Sequence, residues 1–121
     1  MSSILPLERS VHDRRQSAVS ERQADAYAQW FRALGDATRI RILNLLARNE
    51  APLCVCDIVD HFSIGQPSIS HHLRILRDAG FVTSERRGTF MYYRVNNDCL
   101  AEFPNAARSI LGLPEVEKYP E

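Results

Sequence analysis

The segment QPSISHHLRILRDAG, residues 66–80, constrains this chain more than any other. Pro67 stands where a first helical turn has no need of an N–H, and Gly80 stands where a left-handed residue ends a helix. At about 100° per residue, Ile69, Leu73 and Leu76 share one face while Pro67, His71 and Arg74 fall roughly opposite. The preceding LCVCDIVDHF, residues 53–62, suits one extended pair of residues and a two-turn helix, stopped by Ser63-Ile64-Gly65. Two helices joined by a turn of about four residues, the second with small polar and basic side chains in its N-terminal half, make a helix-turn-helix pattern.

The flanking sequence extends that pattern. In FVTSERRGTFMYYRV, residues 81–95, two β-rich runs flank Arg86-Arg87-Gly88-Thr89, and Gly88 supplies the positive φ of a tight hairpin, a β-wing. Upstream, Ser20 and Gln23 fit a capping box, and Tyr27, Trp30, Phe31 and Leu34 make one apolar helical stripe that Gly35 ends. Asp36 caps the next helix, whose Ile40, Ile42, Leu43, Leu45 and Leu46 are apolar around most of its circumference, as suits the centre of a core. Leu100, Phe103, Ala107, Ile110 and Leu111 indicate a last helix, expected to start late or kink at Pro104. The expected fold is mainly α with a β-hairpin wing, a winged helix-turn-helix. The apolar surface of its first and last helices exceeds what one small domain buries, which points to a homodimer formed through them. The expected division is a flexible arm over residues 1–18, containing His12-Asp13-Arg14-Arg15, a DNA-binding and dimerisation domain over 19–113, and a flexible tail over 114–121.

Composition narrows the function. At 121 residues, with 45% hydrophobic and 25% charged residues, the chain is expected to form one globular domain. No apolar run reaches the roughly 18–20 residues of a membrane span, and the N-terminus lacks a signal peptide, so the expected location is the cytoplasm. A net charge of zero excludes a generally polybasic nucleic-acid binder. Charge is nevertheless uneven: Gln66 to Arg94 holds five arginines against Asp78 and Glu85, whereas Asn96 to Glu121 holds Arg108 and Lys118 against five acids. One surface can therefore meet a polyanion while the whole stays neutral. Enzyme function has little support, because the serines and histidines of residues 66–80 come with no acid partner, oxyanion loop or metal-water motif.

On the second helix of the motif, Gln66, Ser68, Ser70 and His71 are short or hydrogen-bonding side chains suited to base edges in a major groove. Arg74 and Arg77 follow a turn or two later and suit phosphates, as do Arg86 and Arg87 at the wing. His72 falls beside the apolar face and reads as a packed histidine. Three cysteines, Cys54, Cys56 and Cys99, are too few for a secreted disulfide scaffold and read as cytosolic thiols open to metal or redox chemistry. Cys54 and Cys56 bracket the start of the first helix of the motif, where two soft donors one residue apart converge on one ion. Trivalent arsenic and antimony take three sulfurs, and Cys99 is the remaining one.

Together LGDATRIRIL, LCVCD, QPSISHHLRILRDAGFV and RRGTFMYYRV, over roughly residues 24–111, resemble the ArsR/SmtB family of winged-helix metal-sensing repressors, and most nearly its arsenic-responsive branch. The resemblance implies a cytoplasmic homodimer that represses transcription from an inverted-repeat double-stranded operator and leaves it when a metal or metalloid binds. It implies no constitutive cofactor, an inducer of the As(III) or Sb(III) class and a metal site at Cys54 and Cys56, for which Cys99, the one other sulfur in the sequence, is the expected third ligand. Departures are visible. Arsenite sensors of the best-known type place a third cysteine where this chain has Val59. The cadmium/lead branch draws cysteines from an N-terminal arm, which here has none. The zinc branch uses carboxylates and histidines where this chain has Asn97, Cys99, Ile110 and Leu113, which excludes that site. Alternatives of the same fold are a Cd/Pb sensor using the same pair, and a redox or reactive-sulfur sensor in which Cys99 pairs with Cys54 or Cys56. A protein-interaction winged helix without an operator would not require the polar face from Gln66 to Arg77.

Overall fold

The computed structural model describes residues 18–116. Most of the expected arm, residues 1–17, and residues 117–121 of the expected tail lie outside that range. The elements run α1 (Glu21–Ala33), α2 (Ala37–Ala47), β1 (Leu53–Cys54), α3 (Val55–Val59), α4 (Gln66–Asp78), β2 (Val82–Arg87), β3 (Phe90–Val95) and α5 (Asn97–Ile110). No helix among the described residues is long and apolar enough to cross a membrane. Residues 28–100 form one compact unit, and residues 18–27 with 101–116 are the described part of another.

In the first unit the core forms where α2, α3 and α4 meet the sheet. Ile42, Ile58, Ile69, Leu73, Leu76, Phe81 and Val82 are almost wholly removed from water. Each aliphatic side chain buried this way contributes about 1.5–3 kcal/mol. The strand order is β1-β3-β2, antiparallel throughout, with β3 central. Gly88, at φ 66°, turns the hairpin as its position in the sequence requires. α1 closes through Leu34 N–H on the Trp30 carbonyl and Gly35 N–H on that of Arg32. Asp36 then caps α2, its Oδ1 accepting from the amides of Thr38 at 2.9 Å and Arg39 at 3.1 Å.

Two expectations are corrected here. α2 is not apolar-buried all round: Ile42, Leu45 and Leu46 are in the core, but Ile40 is 52% exposed. It lines an open groove of about 260 Å³ with Arg41, Asn44, Arg48 and His61, and the Arg41 guanidinium covers the Phe62 ring there at 4.8 Å. α3 is also shorter than two turns. After Val59 the amides of His61 and Phe62 bond three residues back, to Ile58 and Val59, which tightens the last turn into the loop before α4.

α4 ends in a Schellman arrangement: Gly80 at φ 92° follows the helix and the Phe81 N–H reaches back to the Leu76 carbonyl at 2.9 Å. α5 is a third correction. It starts at Asn97 rather than late, and the helix continues across Pro104. Asn96 opens it, its Oδ1 accepting from the Asp98 amide and its carbonyl from those of Cys99 and Leu100. The proline leaves only the Leu100 carbonyl without its helical donor, and Leu100 is on an exposed side where water can serve it.

In the second unit, Ser20 and Gln23 form the expected capping box, with Gln23 N–H donating to Ser20 Oγ and Ser20 N–H to Gln23 Oε1, both at 3.0 Å. The start of the expected tail is bonded back to α5. Asn105, buried, donates through Nδ2 to the Val116 carbonyl and accepts the Val116 N–H, while Arg108 Nε donates to the Pro114 carbonyl.

Candidate functional site

α4 presents its apolar residues inward and its polar residues outward because their spacing matches the helical period. Gln66, Ser68, His71, Arg74 and Arg77 are exposed, and Ser70 is half-buried. His71 and Arg74 lie with Pro67 on the side away from Ile69, Leu73 and Leu76. Arg77 has Asp78 beside it at 3.9 Å, an exposed pair too loose to hold it from a phosphate. His72 is half-buried, and its Nδ1 accepts from Arg39 Nη1 at 3.2 Å. Arg39 also donates to the carbonyls of Ala33 and Arg32, so one guanidinium ties the end of α1 to the middle of α4. Nothing in the apolar pattern singled Arg39 out. Its role comes from contacts between residues 33 positions apart.

At the wing, Arg86 and Arg87 are both exposed and alternate to opposite faces of the hairpin. Arg87 Nη2 is 3.3 Å from Glu85 Oε1, and its guanidinium covers the Tyr92 ring at 4.8 Å. Asp36, in the loop before α2, has its carboxyl held below the usual value. The Arg39 amide bond is the main cause, opposed by desolvation and helped by the charges of His72 and Arg39.

Cys54 is the last residue of β1 and the N-cap of α3, with extended backbone at φ −77° and ψ 160°, and its Sγ accepts from the Asp57 amide at 3.3 Å. Cys56 is one residue into the helix. The two sulfurs are joined as a disulfide, with Cα atoms 5.3 Å apart. That pairing corrects both the expectation of thiols throughout and the alternative pairing through Cys99. Cys99, near the start of α5, is buried and stands outside the disulfide. Among the described residues, the ligand atoms that gather within 4.8 Å of one another are those of Cys54, Cys56 and Asp57. When the disulfide is reduced, the same atoms are two thiols and a carboxylate, a donor set for a thiophilic ion rather than for Mg or Ca. Asp57 completes the Cys-Val-Cys-Asp run, and its carboxylate beside the two sulfurs is a donor that the cysteine spacing alone does not announce.

Residues 36–84 match the family described as "Bacterial regulatory protein, arsR family". An uncharacterized HTH-type transcriptional regulator of Methanocaldococcus jannaschii is 47% identical over 75 residues, which is 62% of this chain and 83% of that protein. The arsenical resistance operon repressor of Bacillus subtilis is 40% identical over 72 residues, 60% of this chain and 68% of that one. Among solved structures, an ArsR-like transcriptional regulator from Rhodococcus sp. RHA1 aligns with a TM-score of 0.60 at 30% identity, over 73% of this chain and 78% of that one. A helix-turn-helix followed by a wing, with these likenesses, places the chain: it belongs to the arsR family of bacterial transcriptional regulators.

Proposed function

We propose that this regulator is a homodimeric repressor that docks α4 in successive major grooves of an inverted-repeat operator and leaves it when trivalent arsenic or antimony binds the reduced thiols of Cys54 and Cys56. The observation that carries the reading is the convergence of those two sulfurs at the start of α3, the helix that braces α4. The relationship to an arsenical resistance operon repressor supports the choice of ion class. Gln66, Ser68, Ser70 and His71 read base edges, and Arg74, Arg77, Arg86 and Arg87 meet phosphates. Exposed apolar side chains, Phe31 and Leu100 in one unit and Ile110 and Leu111 in the other, supply apolar area for dimerisation. The proposed location is the cytoplasm, where reductants keep the pair open.

The third donor to the ion is Cys99, on the preference of trivalent arsenic for sulfur, with the Asp57 carboxylate as the competing donor. Binding draws Cys54 and Cys56 onto one centre and shifts α3, which moves α4 out of register with its partner in the dimer. By linkage, the DNA-bound protein must then bind arsenite more weakly by the same factor as arsenite weakens DNA binding. Calorimetric titration of arsenite into reduced protein, alone and saturated with duplex from the promoter of its own gene, tests this. Equal affinities would end the scheme.

A second reading has its own observation, the Cys54–Cys56 disulfide. A peroxide would convert one thiol to a sulfenic acid with loss of water. The second thiol would displace a further water to close the disulfide, a two-electron oxidation of the pair. If peroxide releases DNA and arsenite does not, the protein is a thiol redox sensor.

A further inference from the structure

Resting on the thiol-gated reading, we propose that Tyr92 is a positioning residue that carries the state of the Cys54/Cys56 site to the wing by holding Arg87 ready for DNA. β1 is an edge strand of two residues, and its register with β3 is Leu53 opposite Tyr93 and Cys54 opposite Tyr92. On the other side of β3, Tyr92 stands opposite Glu85 of β2. Residues directly opposite in a sheet point to one face, so Cys54, Tyr92 and Glu85 form a single row across it. Arg87 is two residues beyond Glu85 and returns to the same face. Its guanidinium lies over the Tyr92 ring at 4.8 Å and touches Glu85 at 3.3 Å. From a thiol of the inducer site to a cation of the DNA face there is one aromatic ring.

The row is built to yield at its thiol end. β1 contributes two residue pairs to the sheet, against six between β2 and β3. Cys54 is also the N-cap of α3, so drawing its sulfur and that of Cys56 onto a common ion pulls at the junction of strand and helix. The residue across the ladder from that pull is Tyr92. Its ring borders a shallow hollow of about 170 Å³, lined also by Pro52, Glu85 and Arg94, which gives the ring somewhere to go. Once the ring moves, Arg87 keeps its carboxylate partner and loses its platform. Glu85 then competes with phosphate for the guanidinium, and the wing lets go as α4 shifts.

The test uses full-length reduced protein and labelled duplex from the promoter of its own gene, titrated with sodium arsenite at several salt concentrations. Ultraviolet absorbance of the arsenic–thiolate bond reports occupancy, and circular dichroism reports the fold. Tyr92→Phe keeps the ring and is expected to match the wild type in affinity, salt slope and arsenite response. Tyr92→Leu is expected to bind arsenite normally, to bind DNA about two- to fivefold more weakly, as loss of an exposed cation–π contact implies, and to lose a severalfold share of the arsenite effect. Arg87→Ala, on an exposed hairpin end that tolerates change, is expected to lose the same share, and Tyr92→Leu added to it to lose nothing more. A wild-type arsenite response in Tyr92→Leu or in Arg87→Ala overturns the relay. So does a Tyr92→Leu effect that persists undiminished once Arg87 is gone. Wild-type protein that shows no arsenic–thiolate absorbance overturns instead the inducer reading on which the relay rests.

Discussion

The indole N–H of Trp30, on α1, donates to the carbonyl of Ala79 at the C-cap of α4, at 2.8 Å. Asn96 Nδ2 donates to the next carbonyl, that of Gly80, at 3.0 Å. The C-cap of α4 and the residue after it are therefore fastened by side chains from two other parts of the chain, and the indole answers a carbonyl that the helix itself leaves without a donor. Trp30→Phe keeps an aromatic ring tilted against Phe81 but removes the donor. It should lower stability by about 1 kcal/mol, the usual effect of one lost hydrogen bond. Denaturant unfolding measures the loss, and faster amide exchange confined to the end of α4 would place it.

The proposed DNA face divides its residues into readers and anchors. Ser70→Ala or His71→Ala should reduce discrimination between promoter and random duplex. Arg74→Ala should instead weaken both, and flatten the dependence of log affinity on log salt by roughly one unit per lost phosphate contact, or about two per dimer. Binding measured from low to moderate salt decides it, and an unchanged slope for Arg74→Ala would remove that residue from the interface.

Much of this architecture is legible in the residues because it is local. Asp36 before an apolar helix, Ser20 with Gln23, Gly80 after α4 and Gly88 in the hairpin each do what their position announces. The errors arise where two local signals compete or where distant residues decide. Pro104 argues for a break, but Asn96 supplies a start to α5 that outweighs one missing hydrogen bond beside solvent. Ile40 looks like core by composition, yet faces a groove bordered by His61 and Phe62, just past the end of α3. Arg39 and Tyr92 stand inside the runs LGDATRIRIL and RRGTFMYYRV, but neither run shows what they touch. Their contacts with His72 and Arg87 exist only once the helices and strands are assembled.

Asp36 also gives a pH test. Its carboxyl titrates below the usual value of 3.8, chiefly through the Arg39 amide. The carboxylate's contribution is therefore complete above that value and disappears as the pH falls through the lowered one. Wild type should exceed Asp36→Asn in stability by a constant margin at mild pH, and the margin should close in strong acid. A margin that grew on acidification would have the wrong sign for this cap.

The third donor is open to direct counting. With Cys99 in place, X-ray absorption of the arsenic-loaded protein should show three sulfurs, and Cys99→Ser should show two sulfurs and an oxygen while keeping DNA affinity. If wild type itself shows two sulfurs and one oxygen, and Asp57→Asn alters that signal while Cys99→Ser does not, the donor is Asp57 and Cys99 is a buried core thiol.

The central claim is that Cys54 and Cys56 release this regulator from DNA when a trivalent metalloid joins them. Fluorescence anisotropy of promoter duplex bound to phosphine-reduced protein, titrated with arsenite, measures that release directly. Wild type should lose about a hundredfold in affinity, close to 3 kcal/mol of coupling, while Cys54→Ser and Cys56→Ser remain bound throughout. Wild-type protein that stays on the DNA at saturating arsenite, or serine variants that leave as readily as wild type, would contradict it.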